Sequence, residues 1–329
     1  MAATTLIAAT WPGIARAERA TNGAWAVEHL LADRDVRCLA ADPLDPAVVY
    51  AGTQGDGVLR SDDRGRTWRP AGMTGRIVKT LAASPHKPGT VYAGTKPPAL
   101  FVSRDGGGSW RELPAFRRAT RWYFFTPSEL PPRAYVKGLA LSPGDPRVIV
   151  AGVEFGVVLR SGDGGERWSG HLPGALRDPH WLTFHAARGE WVYEGGNGGG
   201  ARSHDGGLTW VRRNDGLDRR YGWAVAADPE RPDIWYLSSA PSPWKAHAGT
   251  NAEAAIFRSR EGGAWERLAG GLPQPLAALP YALLTDPVAP GRLYAGLGDG
   301  DVWQSNDCGD TWRRLPFNVG AIHHAVLLP

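Results

Sequence analysis

The stretch Ser103-Arg104-Asp105-Gly106-Gly107-Gly108-Ser109-Trp110 decides how the chain is read, because the same block returns along it. It recurs at 61–68 (SDDRGRTW), 161–168 (SGDGGERW), 203–210 (SHDGGLTW) and 305–312 (SNDCGDTW), with a version one residue shorter at 259–265 (SREGGAW). The block has a local physical reading. Its Asp can accept hydrogen bonds from amides of its own turn, its Gly can take positive φ, and its Trp opens the next strand as a core anchor. About 18 residues before most of these tryptophans stands a second motif, as in Val49-Tyr50-Ala51-Gly52, Val91-Tyr92-Ala93-Gly94 and Leu293-Tyr294-Ala295-Gly296. A third, of the type Leu81-Ala82-Ala83-Ser84-Pro85, precedes it. One unit therefore reads strand, Asp/Pro turn, strand, Gly loop, strand, Asp turn, strand.

Six such units are complete, and the two ends of the chain supply a seventh. The segment 323–329 matches the first strand of a unit, while 6–10, 14–17 and 25–28 match its other three. Pairing the ends removes both sheet edges, which an open array would leave as templates for association. The expectation is an all-β chain: a seven-bladed β-propeller of four-stranded antiparallel blades, closed by pairing of the N- and C-terminal strands. It forms a single domain over 1–329, with the last blade shared between about 1–31 and 320–329.

Composition agrees and excludes much else. The 329 residues include 43 Gly, 27 Pro and 15 Trp, with 43% hydrophobic and 21% charged residues, which argues against disorder and against a coiled coil. Cys38 and Cys308 are the only thiols, so there is no disulfide framework and no CxxC metal signature; both are read as buried small residues in a reducing cytoplasm. Ala15-Arg16-Ala17 mimics a signal cleavage site, but the segment before it has no basic start and its apolar run stops at Trp11-Pro12-Gly13, so it is read as structure. No apolar stretch reaches the roughly 20 residues of a membrane span. A soluble, cytoplasmic monomer is expected. A net charge of +4 with no basic stripe or zinc finger gives no sign of nucleic-acid binding. No dinucleotide or P-loop glycine motif is present, and no cofactor is expected.

The SxDxGxTW blocks resemble the Asp-box (BNR) repeat of sialidases, sortilin-type receptors, xyloglucan-cleaving glycosidases and photosystem II stability/assembly factor-like propellers. The Val-Tyr-Ala-Gly segments and the single short propeller are most similar to the last group. The likeness covers essentially the whole chain and implies the propeller fold; its functional implications diverge, since the motif occurs in enzymes, receptors and assembly factors. Likeness to sialidases would imply an arginine triad, a Tyr–Glu pair, an acidic Asp and an N-terminal Arg-Ile-Pro segment, and no such segment occurs here. The xyloglucan-cleaving enzymes resemble two propellers around a cleft, whereas this chain has repeats for one.

Candidate site residues come from breaks in the repeat. Trp68 to Leu81 spans 13 residues but Trp110 to Leu139 spans 29, and Tyr50 to Trp68 spans 18 but Tyr236 to Trp265 spans 29. Both insertions fall on the face opposite the Asp turns. The first carries Arg121, Trp122 and Tyr123, which either recognise a partner or fold back as a plug; the second carries Trp244 and His247. Aligning the first strands gives a ring at the channel mouth: Arg37, Lys79, Lys137, Leu182, Trp223, Tyr281 and His324. Two residues earlier the ring reads Asp35, Ile77, Tyr135, His180, Tyr221, Leu279 and Ile322. Cations on one side and aromatics on the other suit a planar or sugar-like anion. Loops after the second strands add Lys96, Glu154 and Asn197, and Glu154 with Glu194 is the carboxylate pair available for acid/base chemistry. The histidines show no HxH or HxxxH spacing, and no metal is expected. The reading favoured is a binding or assembly scaffold that holds a protein partner or an anionic or carbohydrate small ligand; the alternative is a glycoside hydrolase of sialidase-like type.

Overall fold

The computed structural model describes residues 4–121 and 134–328. These form a seven-bladed β-propeller of antiparallel sheets arranged around a channel. In five blades four consecutive strands pair in order, one blade has three strands, and in the seventh the last strand of the chain, Ala321–Leu328, pairs with Thr5–Trp11, which continues into Ile14–Arg19 and Trp25–Leu30. Partners such as Ile7 and Val326 therefore close the ring from opposite ends of the chain.

The Asp turns are closed by their own side chains. Ser61 Oγ donates to Asp63 Oδ1 at 2.8 Å and accepts from the Gly65 amide at 2.8 Å. Asp63 in turn accepts from the Thr67 amide and hydroxyl at 2.9 and 2.6 Å. The same circuit is repeated around Asp105, Asp205 and Asp307. In most repeats the Trp indole finishes the turn, Trp68 donating to Gly65 O at 3.0 Å and Trp312 to Gly309 O at 2.9 Å. Trp110 and Trp265 instead reach the preceding blade, at Ala71 O and Arg213 O.

Two further devices join neighbouring blades. Arginines of the third strands donate to a main-chain carbonyl in the next blade's Asp turn: Arg16 to Arg64 (3.0 Å), Arg60 to Gly106 (3.1 Å), Arg160 to Gly206 (2.8 Å) and Arg258 to Cys308 (2.7 Å). Closer to the channel, the glycine of the Val-Tyr-Ala-Gly motif lets the next inner strand approach. A Cβ on Gly94 would lie 2.6 Å from Cβ and Cγ1 of Val136, and one on Gly52 2.7 Å from Val78 Cγ1. The tyrosine of the motif fills the space between sheets; Tyr50, Tyr193, Tyr236 and Tyr294 are fully buried.

The expected four-strand rule relaxes in the third blade, where Val136–Leu141, Ile149–Val153 and Val157–Ser161 form a three-stranded sheet. There the Ser169 hydroxyl takes the Arg160 amide at 2.9 Å and the His171 ring takes the Val158 amide at 3.4 Å, so side chains replace part of the outer ladder. The insertion after the second blade begins as a helix, Pro114–Thr120, with Phe116 buried edge-on against Trp168 at 5.0 Å. Cys38 is buried as expected, but Cys308 is only partly so, at φ +58° in its turn. No helix among the described residues is long and apolar enough to cross a membrane.

Candidate binding site at the channel mouth

Each inner strand begins at the mouth with a β-bulge, and the bulged residues form the ring. In the first blade Val36 pairs with Thr53 and Cys38 with Gly52, leaving Arg37 without a cross-strand partner. The same skip leaves out Lys79, Lys137, His180, Tyr281 and His323. In the fifth blade Trp223 and Ala224 fall between the pairs Gly222–Ser239 and Val225–Leu237. A bulge bends its strand and re-aims a side chain, so Arg37, Lys79, Lys137, Trp223, Tyr281 and His323 face the mouth, while His180 is buried beside it against Tyr221 and Trp223.

This register corrects the sequence alignment in two blades. Leu182 pairs with Glu194 and is buried between blades, while His180 holds the ring position; His323 takes the place expected of His324. His324 sits deeper in the channel, stacked on Trp181 at 4.9 Å, where burial pushes its imidazole down to about 3. In the second ring, Asp178 rather than His180, and Ala321 rather than Ile322, lies two residues before the bulge.

Arg37, Lys79, Lys137, Tyr135, Trp223, Tyr281, His247 and His323 enclose a cavity of about 200 Å³. Its cations are held apart by individual contacts. Arg37 pairs with Asp35 and lies over the exposed Trp11 ring, Lys79 donates to Gln54 at 3.3 Å and lies over Tyr135 at 5.2 Å, and Lys137 lies over Trp223 at 4.7 Å. Among the described residues neither lysine has a carboxylate at ion-pair distance. Burial, then repulsion from Arg37, Lys137 and Lys96, brings Lys79 down to about 8, and burial likewise lowers Lys137. The opposite wall is braced by His247, whose ring bonds Tyr281 at 2.6 Å and Tyr221 at 3.0 Å. Burial lowers His247 and raises Tyr281 to about 12.

The remaining candidates separate clearly. Lys96 and Asn197 stand on the rim, the Asn197 amide bonded to Asp178 O at 3.0 Å. Arg121 is exposed at the C-cap of its helix, and Trp122 and Tyr123 lie outside the described residues. Trp244 is 87% exposed on the short helix Pro243–Ala246 and does not line the cavity. Glu154 borders the mouth, where its carboxylate, that of Asp178 and the His180 ring bring one donor atom each within 4.8 Å of one another. Burial raises Glu154, partly offset by Lys137 and the Tyr135 hydroxyl. Glu194 is fully buried under the Leu176 amide and cannot reach a ligand there. Asp178 carries no motif of its own in the sequence; only the turn before an inner strand marks its position.

No protein-family model matches the chain, and no curated protein matches it. Solved structures are similar in fold. An ancestral GH74 enzyme gives a TM-score of 0.66 at 21% identity over 85% of this chain, which spans only 38% of that enzyme. YCF48 from Cyanidioschyzon merolae gives 0.59 at 14% identity, over 88% of this chain and 87% of its own. YCF48 bound to D1 peptide gives 0.58 at 15% identity, over 85% and 80%. At these identities the likeness is that of the propeller itself, shared by a carbohydrate-active enzyme and a peptide-binding protein.

Proposed function

We propose that the chain is a binding or assembly propeller whose channel mouth receives a carboxylate, presented by a partner protein or by a small acidic ligand. The observation that carries this reading is the arc of Arg37, Lys79 and Lys137 on neighbouring bulges, facing Trp223, Tyr281 and His247 across about 200 Å³. That volume takes one side chain or chain terminus and is small for an oligosaccharide. Trp223 and Tyr281 supply flat apolar walls, and the lysines supply charge with no carboxylate at ion-pair distance among the described residues. The similar fold of YCF48 bound to D1 peptide is consistent with a peptide as one such ligand. A glycoside hydrolase is the second reading, favoured by the proximity of Glu154 and Asp178.

Calorimetric titration with a short peptide ending in a free carboxylate, with its amidated counterpart, and with N-acetylneuraminic acid tests this. The free acid should bind and the amide should not. Lys79→Ala with Lys137→Ala should weaken binding by on the order of tenfold or more. Affinity should also fall as pH rises through about 8, where Lys79 loses its charge. Equal binding of acid and amide, or indifference to the lysines, would overturn the reading. Turnover of nitrophenyl glycosides that is lost in Glu154→Gln would replace it with the hydrolase.

A further inference from the structure

Beside the mouth, three acceptor groups converge from two neighbouring blades. Glu154 follows the strand Ile149–Val153, Asp178 precedes the strand Pro179–His185, and His180 occupies that strand's bulge. One donor atom from each lies within 4.8 Å of the others. His180 is 1% exposed and Glu154 7% exposed, yet His180 Nε2 and Glu154 Oε2 have no hydrogen-bond partner. Buried polar atoms are rarely left so, and an ion or water is the usual explanation.

The tautomer of His180 follows from its other nitrogen. Nδ1 lies 2.7 Å from the Gly222 carbonyl, which can only accept, so Nδ1 carries the proton and Nε2 of the neutral ring presents a lone pair. That lone pair faces Asp178 Oδ2 at 3.7 Å, too far for a hydrogen bond. Asp178 Oδ1 is already occupied by the Phe155 amide at 2.9 Å, which fixes the carboxylate with Oδ2 turned to the cluster. Tyr135 and Lys137 approach Glu154 but leave Oε2 without a partner. The imidazole lone pair and Asp178 Oδ2 thus face one another with no proton between them, and Glu154, whose Oε2 has no partner, completes the cluster.

We propose that Glu154, Asp178 and His180 form a binding site for a divalent transition-metal ion, of which Zn²⁺ is the best fit. One imidazole nitrogen with two carboxylate oxygens matches a borderline ion better than Mg²⁺ or Ca²⁺, which take oxygen alone. The contacts behind the ligands are those that orient metal-binding side chains: a carbonyl on the far nitrogen of the histidine and an amide on the far oxygen of the aspartate. Three protein ligands leave coordination positions open to an exogenous group. Since Tyr135 and Lys137 border both places, an anion in the mouth would lie next to such an ion.

The test is a zinc titration of chelator-stripped, dialysed protein by calorimetry, in buffer free of coordinating anions, with Co²⁺ absorption as a second readout. One equivalent should bind, with intense Co²⁺ bands of low coordination number. Asp178→Asn and Glu154→Gln, which keep side-chain shape, should each weaken binding by at least the ~10–100-fold seen when outer contacts to metal ligands are lost. Nitrogen NMR should find His180 protonated at Nδ1 in the stripped protein and shifted at Nε2 on adding zinc. Stoichiometric binding with unchanged affinity in both variants, or only weak uptake that is equal in all proteins, would overturn the proposal. Thermal melts of the variants separate lost ligands from lost fold. Because the titration contains no added carboxylate for the mouth, failure here leaves the lysine reading of the mouth standing, and the reverse.

Discussion

Glu154 and Glu194 illustrate how far one residue type can diverge. Glu154 follows a second strand and Glu194 lies within one, and as two acids near the same loops they are the carboxylate pair the sequence offers. Glu194 is instead sealed between blades, accepting from the Leu176 amide at 3.0 and 3.2 Å, and burial raises it from 4.5 to about 8, only partly countered by that amide and Arg212. A raised folded pKa means the folded chain holds a proton that the unfolded chain releases. Its contribution is therefore complete below about pH 4.5, declines as pH rises, and is gone above about 8. Denaturant unfolding across that window should show stability falling by up to about 1 kcal/mol per pH unit from this group, and Glu194→Gln should flatten the slope. An unchanged slope in the variant would assign the pH dependence elsewhere. At this scale the cationic ring residues Arg37, Lys79 and Lys137 were legible, because they break the uniformity of a repeated position. Asp178 was not, because an acid before a strand looks like any other turn residue until the neighbouring blade brings Glu154 beside it.

Elements were readable where their bonds are local. Each Asp turn closes within eight residues, so the block Ser61 to Trp68 carries its own instructions. Bulges and blade-to-blade contacts are different, since both depend on a partner strand. The missed bulge shifted the sequence register in the fourth and last blades, which put Leu182 and His324 where His180 and His323 belong. The arginine links, such as Arg160 to Gly206 at 2.8 Å, were likewise invisible, because the acceptor is a carbonyl some 46 positions away. The helix Pro114–Thr120 lay in an insertion treated only as a loop, although Leu113, Phe116 and Thr120 share a buried face. The Gly motif yields a sharp expectation. Gly94→Ala would put a methyl 2.6 Å from Val136 and 2.7 Å from Thr80, and with no room on either side it should cost about 1–3 kcal/mol, measured as a lower urea midpoint at unchanged m. Full stability in the variant would show that the blades can part without penalty.

At the scale of the molecule, closure rests on a single strand. Ala321–Leu328 contributes the inner strand of a blade whose other three strands lie more than 290 residues away, and it buries Ile322, Ala325 and Leu328. Removing residues 321–329 should expose the edge of Thr5–Trp11 and an apolar face of the last complete blade, with a marked loss of melting temperature and self-association in gel filtration. A truncated chain that stays monomeric and melts like the full one would mean that the ring does not need its closing strand. This architecture was legible because neither end of the sequence is a repeat by itself, whereas the ring's chemistry depends on which side chains the closure brings opposite one another. The bulges have one more effect. A residue outside the ladder register can be exchanged without disturbing the strand pairing around it, so the seven positions act as sockets on a common chassis, coupled to one another only through side-chain contacts such as Lys137 over Trp223. Ligand preference in such a ring can drift by single substitutions while the architecture stays still, and grafting charges or aromatics into those sockets is a direct route to retargeting it.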